Sequence, residues 1–262
     1  MATDEQRKGN KMKVDDLIGK ITCADCLDIL KQLPDKCVDL VLTDPPYGTT
    51  VCKWDKIIPM EILWAEFKRI IKGNGCIVIC GAEPFSSMVR TSNLKMYRYD
   101  WIWQKTKYSN FLCLKNQPAK NYENLMVFYN KQPKYNPQML KGKPYKDKGR
   151  MRTLNRQQKI GVKEYKSIAN NGTRYPNQTI LFPNGNNNNI HPTQKPVALF
   201  EYMVKTYTNE NDLILDCFSG SGTTAVACYN LKRRFICIER DREYWKASCE
   251  RLEQAQRQQT LF

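Results

Sequence analysis

Short apolar runs alternate along the chain with segments whose apolar residues recur every three or four positions. KITC, ending near Asp25, is the first expected strand, and CLDILKQL follows as a helix with Leu27, Leu30 and Leu33 on one face. VDLVLTD predicts a strand, MEILWAEFKRII an amphipathic helix closed by Gly73, and CIVICG a buried strand. YDWIWQK and NLMVFYN are two more strands, rich in aromatic residues. After residue 196 the alternation resumes. VALFEYMVKTYT predicts a helix, and DLILDCFSGSGTTAVACYNL reads as strand, glycine turn and helix. RFICIERD is a strand ended by an acid, and REYWKASCERLEQAQRQQ is a last helix that becomes wholly polar. This order predicts an α/β fold, a largely parallel sheet with helices on both faces.

The pattern breaks twice. Residues 1–13 read as a mobile polar tail. Residues 131–190 are rich in Asn, Gln, Tyr and Pro, poor in apolar periodicity, and end in NGNNNN. So long a stretch inside a compact domain predicts a functional insertion, and islands such as TILFP argue against complete disorder. The expected organisation is therefore a domain of residues 14–130 and 191–262 interrupted by an inserted region at 131–190. There is no internal repeat.

The 262 residues suit one α/β domain carrying an insertion and bury an ample core without staples. No run approaches the roughly 20 apolar residues of a membrane span. The start, MATDEQRKGNKMK, lacks the apolar centre of a signal peptide. A cytoplasmic protein that does not engage a membrane is expected. Of eleven cysteines, Cys76, Cys80, Cys217, Cys228 and Cys237 lie inside apolar runs, where they act as small hydrophobes. Cys23 and Cys26 form a C-x-x-C, a pattern open to zinc or redox chemistry. No second pair has zinc-ligand spacing, and His191 is the only histidine. Reduced structural cysteines and no metal site are the expectation.

The net charge of +16 changes the picture more. From Lys131 to Arg174 there are thirteen lysines and arginines against two acids, Asp147 and Glu164. An excess concentrated in one segment fits a polyanion such as nucleic acid.

Two motifs carry chemistry. In LILDCFSGSGTTAVA a buried strand delivers Asp216, then Gly220 and Gly222, then a helix. A glycine turn between strand and helix suits close approach of a ligand to the backbone. It lacks the third glycine of the dinucleotide fingerprint and is not a G-x-x-x-x-G-K phosphate loop. One strand later comes Glu239, an acid placed to accept hydrogen bonds from both ribose hydroxyls, while Asp216 could hold a cationic amine. The plainer alternative is that both acids merely finish strands. The second motif is TDPPYG, residues 43–48, after a strand that two prolines must end. Alone, it could be a simple turn.

Asp44-Pro45-Pro46-Tyr47, the turn DCFSGSGTT and HPTQKP at 191–196 together resemble the amino-group DNA methyltransferases that use S-adenosylmethionine. Their order, with the basic stretch between catalytic and cofactor motifs, resembles the circularly permuted beta group, over roughly residues 20 to 250. The resemblance implies a seven-stranded Rossmann-like sheet with one antiparallel strand and a target-recognition region at 131–190. It implies that Asp25 contacts the cofactor's adenine, although Ala24 stands where glycine is usual. Asp216, Phe218, Gly220 and Gly222, with Thr223 beside them, would surround the methionine part. Glu239 would hold the ribose, and Thr193 and Lys195 would lie near the cofactor.

The chemistry of TDPPYG fits that resemblance. An exocyclic base amine is a poor nucleophile, because its lone pair is delocalised into the ring. Asp44 and the Pro45 carbonyl can accept its protons, Pro45 and Pro46 hold these acceptors fixed, and Tyr47 offers a face for stacking. The methyl donor is already activated, so no metal is needed. The base must be flipped out of the duplex. Lys141, Lys143, Lys146, Arg150, Arg152 and Arg156 are the candidate DNA contacts. Aspartate at the first motif position favours adenine N6 within the family. Cytosine N4 transfer and a catalytically inactive DNA-binding relative are the alternatives. A homodimer and a restriction endonuclease partner are both compatible with the resemblance.

Overall fold

The computed structural model describes residues 14–48, 55, 57–146, 169–184 and 193–259. The expected tail, Arg150, Arg152, Arg156, His191 and Pro192 lie outside the described residues. All seven expected strands form, as β1 (Lys20–Cys23), β2 (Val38–Thr43), β3 (Ile71–Gly81), β4 (Tyr97–Gln104), β5 (Tyr122–Phe128), β11 (Leu213–Asp216) and β12 (Arg234–Glu239). An eighth, β10 (Thr179–Leu181), comes from the TILFP island and pairs with β4 at the sheet edge. The sheet is therefore eight-stranded rather than seven-stranded, in the order β1-β12-β11-β2-β3-β5-β4-β10. Only β5 is antiparallel to its neighbours.

The central strands explain why apolar runs mark them. Every residue of β2 and β11 is buried, as a parallel strand covered on both faces requires. Side chains then alternate between two cores. Ile77, Ile79, Ile236 and Ile238 face α1 (Cys26–Leu30), α2 (Met60–Ile70) and α3 (Phe85–Ser92). Cys76, Val78, Phe235 and Cys237 face α4 (Val197–Tyr207), α5 (Thr223–Asn230) and α6 (Arg242–Gln259). In α2 the buried Met60, Leu63, Trp64, Phe67 and Ile70 form one stripe.

Two elements differ from expectation. α2 ends at Ile70, not at Gly73, and β3 starts at Ile71 and runs through the glycines. A Cβ on Gly75 would lie 2.9 Å from the Asp39 carbonyl oxygen, so the residue lets β2 and β3 close up where their register shifts. The short α3 follows CIVICG and buries Phe85, Ser86 and Val89. It is too short and polar to stand out by periodicity.

Residues 137–177 form a compact unit of their own. There β6 (Leu140–Lys141) pairs antiparallel with β9 (Thr173–Arg174), and β7 (Tyr145–Lys146) with β8 (Ala169–Asn170). This unit is narrower than the 131–190 stretch. Lys134 is ion-paired to Asp212, and Asn136 donates its backbone N–H to the Thr206 carbonyl, so residues 131–136 belong with the sheet. No described helix is long and apolar enough to cross a membrane.

Candidate active site

Parallel strands β1, β12, β11 and β2 end on one side of the sheet, and each delivers a carboxylate there. Asp25 follows β1, Glu239 ends β12, Asp216 ends β11 and Asp44 follows β2. All four line one cleft of about 1350 Å³. Ligands of open α/β sheets bind at this carboxyl edge. The expected cofactor acids and the expected catalytic acid thus stand in a row.

At the β11 end Asp216 is buried, and its carboxylate accepts from Thr43 Oγ1 at 2.8 Å, the Phe218 amide at 3.1 Å and the Thr224 hydroxyl. Burial pushes its pKa up to about 6, against the pull of those donors. Its role here is to tie β2 to β11 and fix the turn. The raised value means that the charged form is disfavoured by folding. The stability cost is absent below pH 4 and grows as pH rises towards and beyond 6. Asp216→Asn is therefore expected to gain up to about 3 kcal/mol at pH 8 relative to its effect at pH 4. Thermal melts of both proteins across that range check this, and a pH-independent difference counts against it.

The glycine turn is locked by Gly222, whose φ of +75° heads α5 and whose absent Cβ would meet Ser248 Cβ at 2.9 Å. Its N–H groups are largely spent inside the protein. Cys217 donates to Thr43 Oγ1, Phe218 to Asp216, Ser219 to the Ile238 carbonyl, Gly220 to Glu239 and Gly222 to the Ser219 carbonyl. The amides of these five turn residues are therefore not open to a ligand, which leaves the first amides of α5 and the carboxylates as the polar groups the turn presents. It suits a ligand held by carboxylates. Glu239 uses one lone pair on each oxygen, from Gly220 at 2.8 Å and Asp241 at 2.8 Å, and keeps the others. Burial raises its pKa. Asp25 caps α1 through the Leu27 amide at 2.9 Å. Thr223 Oγ1 donates to the Lys195 carbonyl at 3.1 Å and receives Arg251. Phe218 and Thr193 line the same cleft.

At the β2 end the carboxylate of Asp44 accepts from Tyr47 OH and from Lys195 Nζ. The Tyr47 ring stacks on Phe85, centroids 5.0 Å apart and planes 24° from parallel. Lys195 is buried and also lies 3.4 Å from Glu123 Oε2, an oxygen with no hydrogen-bond donor. Glu123 Oε1 accepts from Lys105. Desolvation disfavours the Lys195 ammonium, but Asp44 and Glu123 outweigh it and hold the group charged. Burial likewise works against the Glu123 carboxylate, and Lys195 and Lys105 outweigh it, leaving its pKa lowered. Lys195, expected beside the cofactor, thus places its ammonium on Asp44, the expected catalytic acid. Glu123, Lys105, Phe85 and Thr43 were not singled out by sequence. The available signal was an acid, Glu123, two residues before the apolar run LMVF of β5.

Lys141, Lys143 and Lys146 are exposed in the 137–177 unit. In the C-x-x-C pair, Cys26 is buried and its thiol is pushed up to about 12, mainly by that burial, which leaves a structural thiol rather than a reactive one.

Comparison with known proteins places this edge in context. The profile of the N6_N4_Mtase family, described as DNA methylase, matches residues 38–250. The type II methyltransferase M.HpaI of Haemophilus parainfluenzae is 28% identical over 252 residues, covering 89% of this chain and 74% of the relative. M1.MboII of Moraxella bovis is 28% identical, covering 87% and 94%. The solved M1.HpyAVI–SAM complex aligns with a TM-score of 0.61 at 26% identity, over 89% of this chain and 98% of that one. The PvuII cytosine-N4-specific DNA methyltransferase aligns at 0.64 and 17% identity over 90% and 89%, a likeness of fold. With its profile matched from β2 into α6, the chain belongs to the DNA methylase family.

Proposed function

We propose that this chain is a sequence-specific DNA methyltransferase of the permuted beta group, moving a methyl group from S-adenosylmethionine to adenine N6 of a flipped base. The observation that carries the reading is Asp44, held by Tyr47 and Lys195 at the end of β2, in the same cleft as Glu239 and the glycine turn. The cofactor fits the other half of that cleft. Glu239 keeps lone pairs for ribose hydroxyls, Asp25 lies one strand further out, and the acids along this edge suit a cationic ligand. When bound, S-adenosylmethionine supplies an activated methyl group.

The protein's part is to present acceptors. Asp44 keeps a lone pair on each oxygen for the amine, and the Pro45 carbonyl offers another. Phe85 stacks on Tyr47 and the Lys195 ammonium lies over the same ring, 5.6 Å from its centroid, so the ring that would receive a base is held in place. The aspartate of the motif favours adenine over cytosine. The motif order and the late-chain position of β11 beside β2 support the permuted arrangement. Residues 131–190 are assigned the target-recognition role, and Arg150, Arg152 and Arg156 join Lys141, Lys143 and Lys146 as DNA contacts.

Methyl transfer from labelled S-adenosylmethionine to unmethylated duplex DNA, followed by digestion to nucleosides, tests the reading. Label in N6-methyladenine is expected. Label in N4-methylcytosine corrects the base and keeps the site, and no label on any DNA removes the assignment. Reversing the charge of Lys141, Lys143 and Lys146 is expected to weaken duplex binding and flatten its dependence on salt, by up to about 0.9 in log–log slope per lost phosphate contact. An unchanged slope removes these lysines from the interface.

A further inference from the structure

The loop from β4 to β5 carries none of the methyltransferase motifs. Residues 105–120 hold four lysines, Lys105, Lys107, Lys115 and Lys120, and no acidic residue. At its tip, the 3-10 turn Phe111–Cys113, Phe111 is 65% and Leu112 84% exposed, with Tyr108 and Leu114 also exposed. Single exposed apolar side chains are ordinary, but several along one short loop are not.

The tip is built on a braced base. Asn110 Nδ2 donates to the Pro118 carbonyl at 2.9 Å, and Asn110 Oδ1 accepts from the Lys120 amide at 2.6 Å. Ser109 donates its amide to the Lys120 carbonyl, and Asn184 receives the Lys107 amide at 3.0 Å. The cross-links tie the two arms of the loop together, so presenting the tip needs little further ordering on contact. Lys107, Tyr108, Asn110 and Lys120 line the cleft that holds Asp44. Lys107 and Lys115 are exposed and form no ion pair with a described carboxylate.

We propose that this loop is a second DNA-contacting element, whose exposed Lys107 and Lys115 bind backbone phosphates at the rim of the cleft while Phe111 and Leu112 press into the base stack next to the flipped base. Apolar side chains used in this way occupy an unstacked step and keep it open. The cleft rim is where the duplex must lie if a base is to reach Asp44, so the proposal rests on the DNA methyltransferase reading. It adds a contact surface outside residues 131–190.

The test uses the full chain. Lys107→Gln with Lys115→Gln is expected to lower the salt slope of duplex binding by about two. Leu112→Ala, at a side chain with no folding role, is expected to slow transfer about tenfold on a paired duplex carrying the mapped site. The rate should return to near wild type when the position opposite the target base is abasic, because that duplex is already opened. An unchanged slope together with an unchanged rate on paired DNA overturns the proposal. So does a Leu112→Ala loss confined to binding of anionic lipid vesicles. If the unaltered protein binds duplex and transfers no methyl group, a slope that still falls by two leaves the loop contact standing and removes the enzyme reading instead.

Discussion

Asp44→Ala is expected to lower methyl transfer by about a hundred- to a thousandfold, the usual scale for losing one preorganised polar partner of a reacting group. Affinity for S-adenosylmethionine should change little, because Asp25 and Glu239, expected to hold its adenosine, stand at the ends of β1 and β12, three and two strands away from β2. The variant should still fold. Lys195, the buried cation left behind, keeps Glu123 3.4 Å away. Asp44→Asn, which retains one acceptor oxygen, should fall between the two. Single-turnover transfer and equilibrium cofactor binding, measured on the same preparations, separate the possibilities. An equal loss in both would take Asp44 off the base side of the cleft and place it on the cofactor.

That expectation was already readable in TDPPYG, and the reason is physical. Buried parallel strands appear as unbroken apolar runs, such as VDLVLT, and a run that stops at two prolines fixes where the strand ends. The residues just after such ends fall on one edge of the sheet whatever the helices do. Asp25, Asp44, Asp216 and Glu239 could therefore be collected from the chain by position alone. Their partners could not. Thr43 donates to Asp216 across 173 residues, and Lys195 reaches Asp44 across 151. Neither pairing has a local signature. Glu123 enters the site only because β5 runs antiparallel between β3 and β4, which carries its first residues to the edge where the parallel strands finish. Apolar runs do not encode strand direction. A different limit hid β10, whose three residues are too few to show a period. The end of α2 was misplaced as well, because close approach of two strands, rather than a helix stop, accounts for Gly75.

Lys195→Met is expected to make both stability and transfer depend on pH in a way that the unaltered protein does not. Lys195 lies between Asp44 and Glu123 with only 6% of its surface exposed. Removing the ammonium leaves two carboxylates facing one another, with Lys105 bonded only to the far oxygen of Glu123. Like charges sharing a poorly solvated site cannot both stay ionised at ordinary pH, so one pKa must rise. A carboxylate whose pKa is higher in the folded than in the unfolded chain favours folding in its protonated form. Its cost is absent below the unfolded value near 4, and it grows as pH rises through the folded one. Lys195→Met should therefore be least damaged near pH 5 and most damaged near pH 8, where breaking a buried pair costs about 3–5 kcal/mol. Transfer should run the other way. It should fall as pH drops through the raised value, because a protonated Asp44 is a weaker acceptor for the amine. Adding Glu123→Gln removes the repulsion and should return most of the lost stability at pH 8 and flatten both profiles. Melting temperature and single-turnover rate across pH 5–9, for the single and the double variant, read this coupling directly. If Lys195 instead served the cofactor, the single variant would weaken S-adenosylmethionine binding at every pH, and Glu123→Gln would restore nothing.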